Sequence, residues 1–168
     1  MPTVRLATEA DAASVVNLRR RLFAETPFML WEAAEFVQTA EDERKRIASL
    51  NSRPNCLSIL ADHESEVVGL LSAVGGDRNR LRHSATVALG VAKAYWGRGI
   101  VTAMVREAVA WSERTGLKRL ELTVHTSNLA ALSVYLRCGF QVEGVRRSSL
   151  FVDGKYVDEY LMSLLHAG

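Results

Sequence analysis

The run VAKAYWGRGIVTAMV, residues 91–105, constrains this chain more than any other segment. An apolar, strand-like stretch ends at Val91, a short polar bend follows, and Gly97-Arg98-Gly99 opens a helical pattern. Glycines at such a bend let backbone N–H groups approach a ligand closely, and the start of a helix adds partial positive charge. The segment therefore reads as an anion cradle suited to a pyrophosphate. Two phosphate loops do not fit it. A nucleoside-triphosphate loop needs Lys and then Ser or Thr after its last glycine, and this chain continues with Ile100 and Val101. A dinucleotide fingerprint needs a third small residue, and Thr102 stands there. That fingerprint also expects a βαβ unit at the start of the sheet, whereas the segments before this loop read as a strand meander.

The elements around the loop follow from periodicity and punctuation. Residues 3–7 read as a short strand, and Thr8 with Asp11 marks a helix start that runs to about residue 23. Pro27 breaks the pattern that follows. The charged run at 41–46 reads as a solvated helix face. Residues 55–61, 67–74 and 83–91 read as three strands in series. A helix over 97–115 places Ile100, Met104, Ala108 and Trp111 on one face and stops at Gly116. A strand at 120–124 and a short helix at 128–137 come next, and Asp153-Gly154 turns a hairpin of residues 140–152 and 156–165. The order β-α-α-β-β-β-α-β-α-β-β describes an α/β (α+β) chain with a mixed, mostly antiparallel sheet and one crossover at the glycine loop. No repeat or linker interrupts it, so residues 1–168 are expected to form a single domain.

Bulk properties narrow the classes. With 48% hydrophobic residues in 168 the chain can bury one good core. Twenty-one basic against 19 acidic residues leave a net charge of +2, which argues against nucleic acid as the main partner. Cys56 and Cys138 lack metal-ligand spacing and read as reduced thiols; no metal is expected. Arg5, Glu9 and Asp11 precede any apolar run, and no run reaches membrane-spanning length, so a cytoplasmic protein without a membrane partner is expected.

Downstream of the loop stands LELTVHTSNLAALSVYLRCGFQVEGVRR, in which Asn128, Ala131, Tyr135, Gly139 and Phe140 keep the order Asn, then A-x-x-x-Y-x-x-x-G-F. With YWGRGIVTAMV before it and FVDGKYVDEYLMSLL after it, nearly the whole chain resembles the GNAT acetyltransferase superfamily. Trp96 and Val101 depart from the family's usual loop residues. The resemblance implies a central sheet with a splayed pair of strands and acetyl-coenzyme A as co-substrate. The pantetheine arm would bond backbone groups at Leu89, Gly90 and Val91. The pyrophosphate would lie on the amides of Gly97, Arg98, Gly99, Ile100, Val101 and Thr102, with Asn128 contacting the cofactor or capping the next helix.

The implied reaction is direct attack of an amine on the thioester in a ternary complex. Tyr135 stands at the family's general-acid position and also touches the cofactor. A phenol near pKa ~10 is a weaker acid than a thiol near ~8.5, so its main service would be a hydrogen bond to the departing sulfur. Many family members carry a Glu on the fourth strand as base, and HSATVALGV here has none; Thr86 and Ala88 take those positions. Glu32 and Glu35, which share a face, and His125 are the candidates near the acceptor, and the base stays unassigned. Phe28 to Trp31 would line the acceptor side opposite Arg146, Arg147 and Tyr156. Paired arginines there would hold an acceptor carboxylate. A small-molecule amine is the expected partner, with a homodimer left open. Protein N-terminal acetylation and a non-catalytic coenzyme A-binding module are the alternatives.

Overall fold

Seven strands join in one sheet, ordered β1-β2-β3-β4-β5-β7-β6, in the computed structural model, which describes residues 2–167. The strands are β1 (Thr3–Leu6), β2 (Leu57–His63), β3 (Glu66–Gly75), β4 (Ser84–Val91), β5 (Arg119–His125), β6 (Gln141–Val152) and β7 (Lys155–Leu165). All neighbours are antiparallel except β4 and β5, which are parallel and joined by the crossover helix α3 (Ile100–Arg114). α1 (Ala12–Glu25) and α2 (Ala40–Asn51) lie between β1 and β2 in the chain, and α4 (Leu129–Arg137) between β5 and β6. No helix among the described residues is long and apolar enough to cross a membrane.

Alternation along the strands divides the core in two. Val87, Val91, Leu120, Leu122, Val124 and Met162 pack with Met104, Val105, Ala108 and Trp111 of α3. Leu60 and Leu70 face the other way, against Val15, Leu18 and Leu22 of α1 and Ile47 of α2. Each fully buried side chain of this size contributes roughly 1.5–3 kcal/mol. Gly90 belongs to the second face. A Cβ there would stand 2.7 Å from Leu22 Cδ1 and 3.3 Å from the Met29 sulfur, so its lack of a side chain lets α1 and the following loop close on the sheet.

Two expectations change in detail. The crossover helix begins at Ile100, not at 97, because Gly97 and Gly99 hold φ of +74° and +78° and cannot continue a right-handed helix. The charged run at 41–46 is not wholly solvated: Glu43 is 1% exposed and lies under the helix, beside Arg19 and Arg46. Glu43, Ile47 and Leu50 fall at i, i+4 and i+7, so a carboxylate occupies the head of an apolar stripe.

The decisive feature for function is a break in the sheet. β4 and β5 pair from Ser84↔Arg119 to Thr86↔Glu121 and no further. Beyond that point β4 stays with β3 as far as Val91, and β5 stays with β7 as far as His125. The two strands therefore diverge, leaving a slot that connects the two faces.

Candidate functional site

Backbone direction decides what the slot offers. Ala92 N–H donates to Val68 O at 2.9 Å and Gly76 N–H to Ser84 O at 3.1 Å, so even-numbered backbone groups of β4 turn toward β3. By alternation the N–H and C=O groups of Leu89 and Val91 turn into the slot. Gly90, expected among the cofactor contacts, spends its backbone groups on β3 and contributes space instead. On β5, Thr126 N–H donates to Asp158 O, so Thr123 and His125 turn their backbone groups to the slot from the opposite side. The Trp96 indole N–H donates to Val91 O at 2.7 Å and His125 O accepts from Asn128 N–H at 2.9 Å. Leu89 and Thr123 keep both backbone groups for a ligand, and Val91 keeps its N–H.

At the end of the slot the loop before α3 forms the anion cradle. Gly97 and Gly99 hold left-handed φ, and a Cβ on either would meet nothing within 4 Å. Glycine is required here by backbone conformation, and open space lies outside the loop. The first α3 amides, at Ile100, Val101 and Thr102, have no intrahelical acceptor and point outward with the helix dipole. Asn128 caps α4, its Oδ1 accepting from Ala131 N–H at 3.3 Å. Together these donors suit phosphate oxygens, and the slot edges suit the amides of a pantetheine chain. Gly99→Val should therefore weaken coenzyme A binding about tenfold or more, since a β-branched residue resists left-handed φ. Calorimetry giving an unchanged Kd would remove the cradle from the binding site.

A cavity of about 1370 Å³ runs through the slot and is lined on one side by the cradle, Asn128, Val134 and Tyr135. On the α1/α2 side its walls include Arg19, Phe23, Phe28, Trp31, Arg46, Ser72, Ala88, His125 and Glu159. Tyr135 is 7% exposed and stacks obliquely on Phe140 at 5.9 Å, and burial pushes its phenol well above the usual value. It therefore enters the cavity as a neutral O–H donor. His125 is 5% exposed, meets the Phe28 ring edge-on at 5.4 Å, and has no hydrogen-bond partner at its buried Nε2 among the described residues. Burial lowers its pKa below 6.5, opposed by the nearby Glu159 charge.

Among known proteins, the model of the acetyltransferase (GNAT) family matches residues 19–140. The chain belongs to this family. It is 32% identical over 115 residues to an L-amino acid N-acetyltransferase, AaaT, of Escherichia coli (strain K12), covering 68% of this chain and 71% of that one. A solved GNAT-family acetyltransferase from Streptococcus pneumoniae superposes with a TM-score of 0.95 at 29% identity, covering 99% of this chain and 100% of the other. The fold is also that of yncA from Salmonella typhimurium, solved with acetyl-coenzyme A, at TM-score 0.84 and 18% identity over 99% and 96% of the two chains.

As an acetyl-coenzyme A-dependent N-acetyltransferase of the GNAT family, the chain departs from several residue-level expectations. Glu32 and Glu35 lie exposed outside the cavity, and the Glu35 carboxylate accepts from Glu32 N–H at 3.0 Å to cap a single helical turn. His125, by contrast, lines the cavity. Arg98 does not line the groove, because its guanidinium lies over the Tyr95 ring at 5.2 Å. Arg146 reaches the cavity and pairs with Glu159 at 3.4 Å, whereas Arg147 and Tyr156 do not reach it. Sequence reasoning missed Thr123, whose exposure pattern hid a slot-facing backbone. It also missed Arg19, Arg46 and Ser72, which lie far apart in the chain and carry no motif.

Proposed function

We propose that this GNAT enzyme transfers an acetyl group from acetyl-coenzyme A to the primary amine of a small molecule, with both substrates bound at once. The single observation that carries this reading is the slot, which brings the cradle on one face and a lined cavity on the other to the same break in the sheet. Acetyl-coenzyme A supplies a thioester carbonyl activated toward nitrogen. The slot-facing N–H groups of Leu89 and Val91 are the donors available to charge developing on that carbonyl oxygen. Tyr135 donates its O–H to sulfur; with its pKa raised by burial, it stabilises the leaving thiolate better than it protonates it. His125, neutral at pH 7, takes the proton that the nitrogen sheds as its bond to carbon forms and its own basicity collapses.

The test is thiol release from acetyl-coenzyme A across free amino acids, polyamines, amine-bearing antibiotics and peptides with free N-termini. Turnover with at least one small amine is expected. Tight coenzyme A binding without turnover of any amine would mark a non-catalytic module, and turnover of peptides alone would move the function to protein N-termini. The pH response carries its own sign. His125 has a lowered pKa, so the unfolded chain binds its proton first as pH falls through 6.5 and stability declines below that point, whereas activity declines only at the lower pH where the folded protein takes up that proton. His125→Gln should remove this acid limb of the stability curve and lower kcat at pH 7. An unchanged profile would exclude His125 as the proton acceptor.

A further inference from the structure

On the α1/α2 side of the cavity a buried charge is left uncompensated. Arg19 on α1 and Arg46 on α2 flank one carboxylate, Glu43, at 3.2 Å and 3.4 Å. Arg46 also donates to Ser72 Oγ of β3 at 3.1 Å, which fixes its position on the sheet. The Arg19 side chain is 15% exposed, yet its Nε and Glu43 Oε2 meet without hydrogen-bond geometry, and each lacks a partner among the described residues. No acceptor among those residues takes its terminal nitrogens either, although the residue lines the cavity. Two guanidinium groups thus share a single counter-charge. The nearest other acid on the cavity wall, Glu159, belongs to β7 across the slot and is engaged with Arg146 and Ser149.

We propose that Arg19, with Arg46 and Ser72 beside it, is the subsite for the carboxylate of the acceptor, so that the substrate is an amino acid whose amine lies close to its carboxylate. The inference rests on the acetyl-transfer reading of the cavity. A net positive charge held in a partly desolvated wall gains most from an anion, and a planar guanidinium fork matches a carboxylate in two parallel bonds. Position argues for a short link between the two groups. Ser72 pairs with Ala88, the residue just before Leu89 on the edge of the slot, so the subsite stands on the strand next to the one that carries the slot edge. The same charge repels polyamines. It also replaces the earlier assignment of this task to Arg146 and Arg147, of which the first is neutralised by Glu159 and the second lies outside the cavity.

The experiment compares L-amino acids with their own carboxamides, which keep the amine and side chain but lose the charge, in the thiol-release assay. Free acids are expected to be preferred about 10- to 100-fold in kcat/KM, through KM. Arg19→Lys keeps the charge and loses the fork, and should raise KM for acids about tenfold with the coenzyme A Kd unchanged. Arg19→Met should erase the acid-over-amide preference. Equal use of acids and carboxamides, or an Arg19→Lys enzyme with wild-type KM, overturns the proposal. Calorimetric binding of N-acetyl-L-amino acids against their amides reads the subsite without turnover. Discrimination there with no thiol release would leave the subsite standing and remove the acetyl-transfer reading. Thiol release without discrimination in either assay would do the reverse.

Discussion

Tyr135→Phe should cut turnover about a hundredfold while leaving coenzyme A affinity within about twofold. The phenol ring is buried in the α3/α4 core and packs on Phe140, and that packing survives in Phe. What disappears is one O–H in the cavity, which has no partner among the described residues and which the proposed mechanism aims at the leaving sulfur. Because the group acts on a charge that develops only as the thioester breaks, its loss falls on kcat. Steady-state kinetics with a saturating acceptor, together with direct coenzyme A titration, separate the two quantities. Equal losses in both would make Tyr135 a binding residue. An alkaline control follows from the raised phenol pKa: above pH 10.0 the unfolded chain releases this proton and the folded one retains it, so wild-type stability falls there. The Phe variant should be less sensitive in that range.

The second large effect concerns the fold. Glu43→Gln should destabilise the protein by about 3–5 kcal/mol, because it strips the only counter-charge among the described residues from two buried or half-buried arginines. In a chain of this length that corresponds to a fall of roughly 10 °C or more in Tm. Glu41→Gln, two residues away, removes a shorter contact, to Arg44 at 2.7 Å, but on a surface where solvent screens both partners. It should leave the melting curve unchanged. A thermal melt of both variants in one buffer decides the matter, and equal behaviour would mean that burial of Glu43 carries no energetic weight. An added free carboxylate should recover part of the Glu43→Gln loss if the cavity anion site is real, since a ligand that binds only the folded state stabilises it.

The parts of this protein that were legible in its sequence are those specified locally. Gly97, Gly99, Gly116 and Gly139 each adopt the left-handed conformation that only glycine takes readily, and each marks an element boundary that could be read one residue at a time. Asp153-Gly154 has positive φ at both positions, as its two-residue hairpin requires. Asn128 and Tyr135 were legible because they stand at fixed spacings along one short helix. The acceptor wall was not. Arg19, Arg46, Ser72 and His125 come from four elements and meet only after α1 and α2 fold back over the sheet. Glu43 was hidden for a different reason: among the charges of residues 41–46, nothing but its register with Ile47 and Leu50 distinguishes the one that points inward. The missing fourth-strand carboxylate was visible, but only placement separates the candidates for its role: Glu32 and Glu35 lie outside the cavity and His125 lines it.

The break between β4 and β5 makes the sheet a bulkhead with a single hatch. On the proposed reading, donor and acceptor arrive from opposite compartments and need not pass one another to enter or leave. The fittings on the donor side belong to α3, α4 and the loop before α3, and those on the acceptor side to α1, α2 and residues 26–38. The two sets meet at the hatch rim, along Leu89, Val91 and Thr123, and also where Lys93 N–H donates to Glu25 of α1 and Arg21 lies over the Tyr95 ring. On the same proposed reading, refitting the acceptor compartment for a different amine leaves the donor berth untouched where the rim and these α1 contacts are spared.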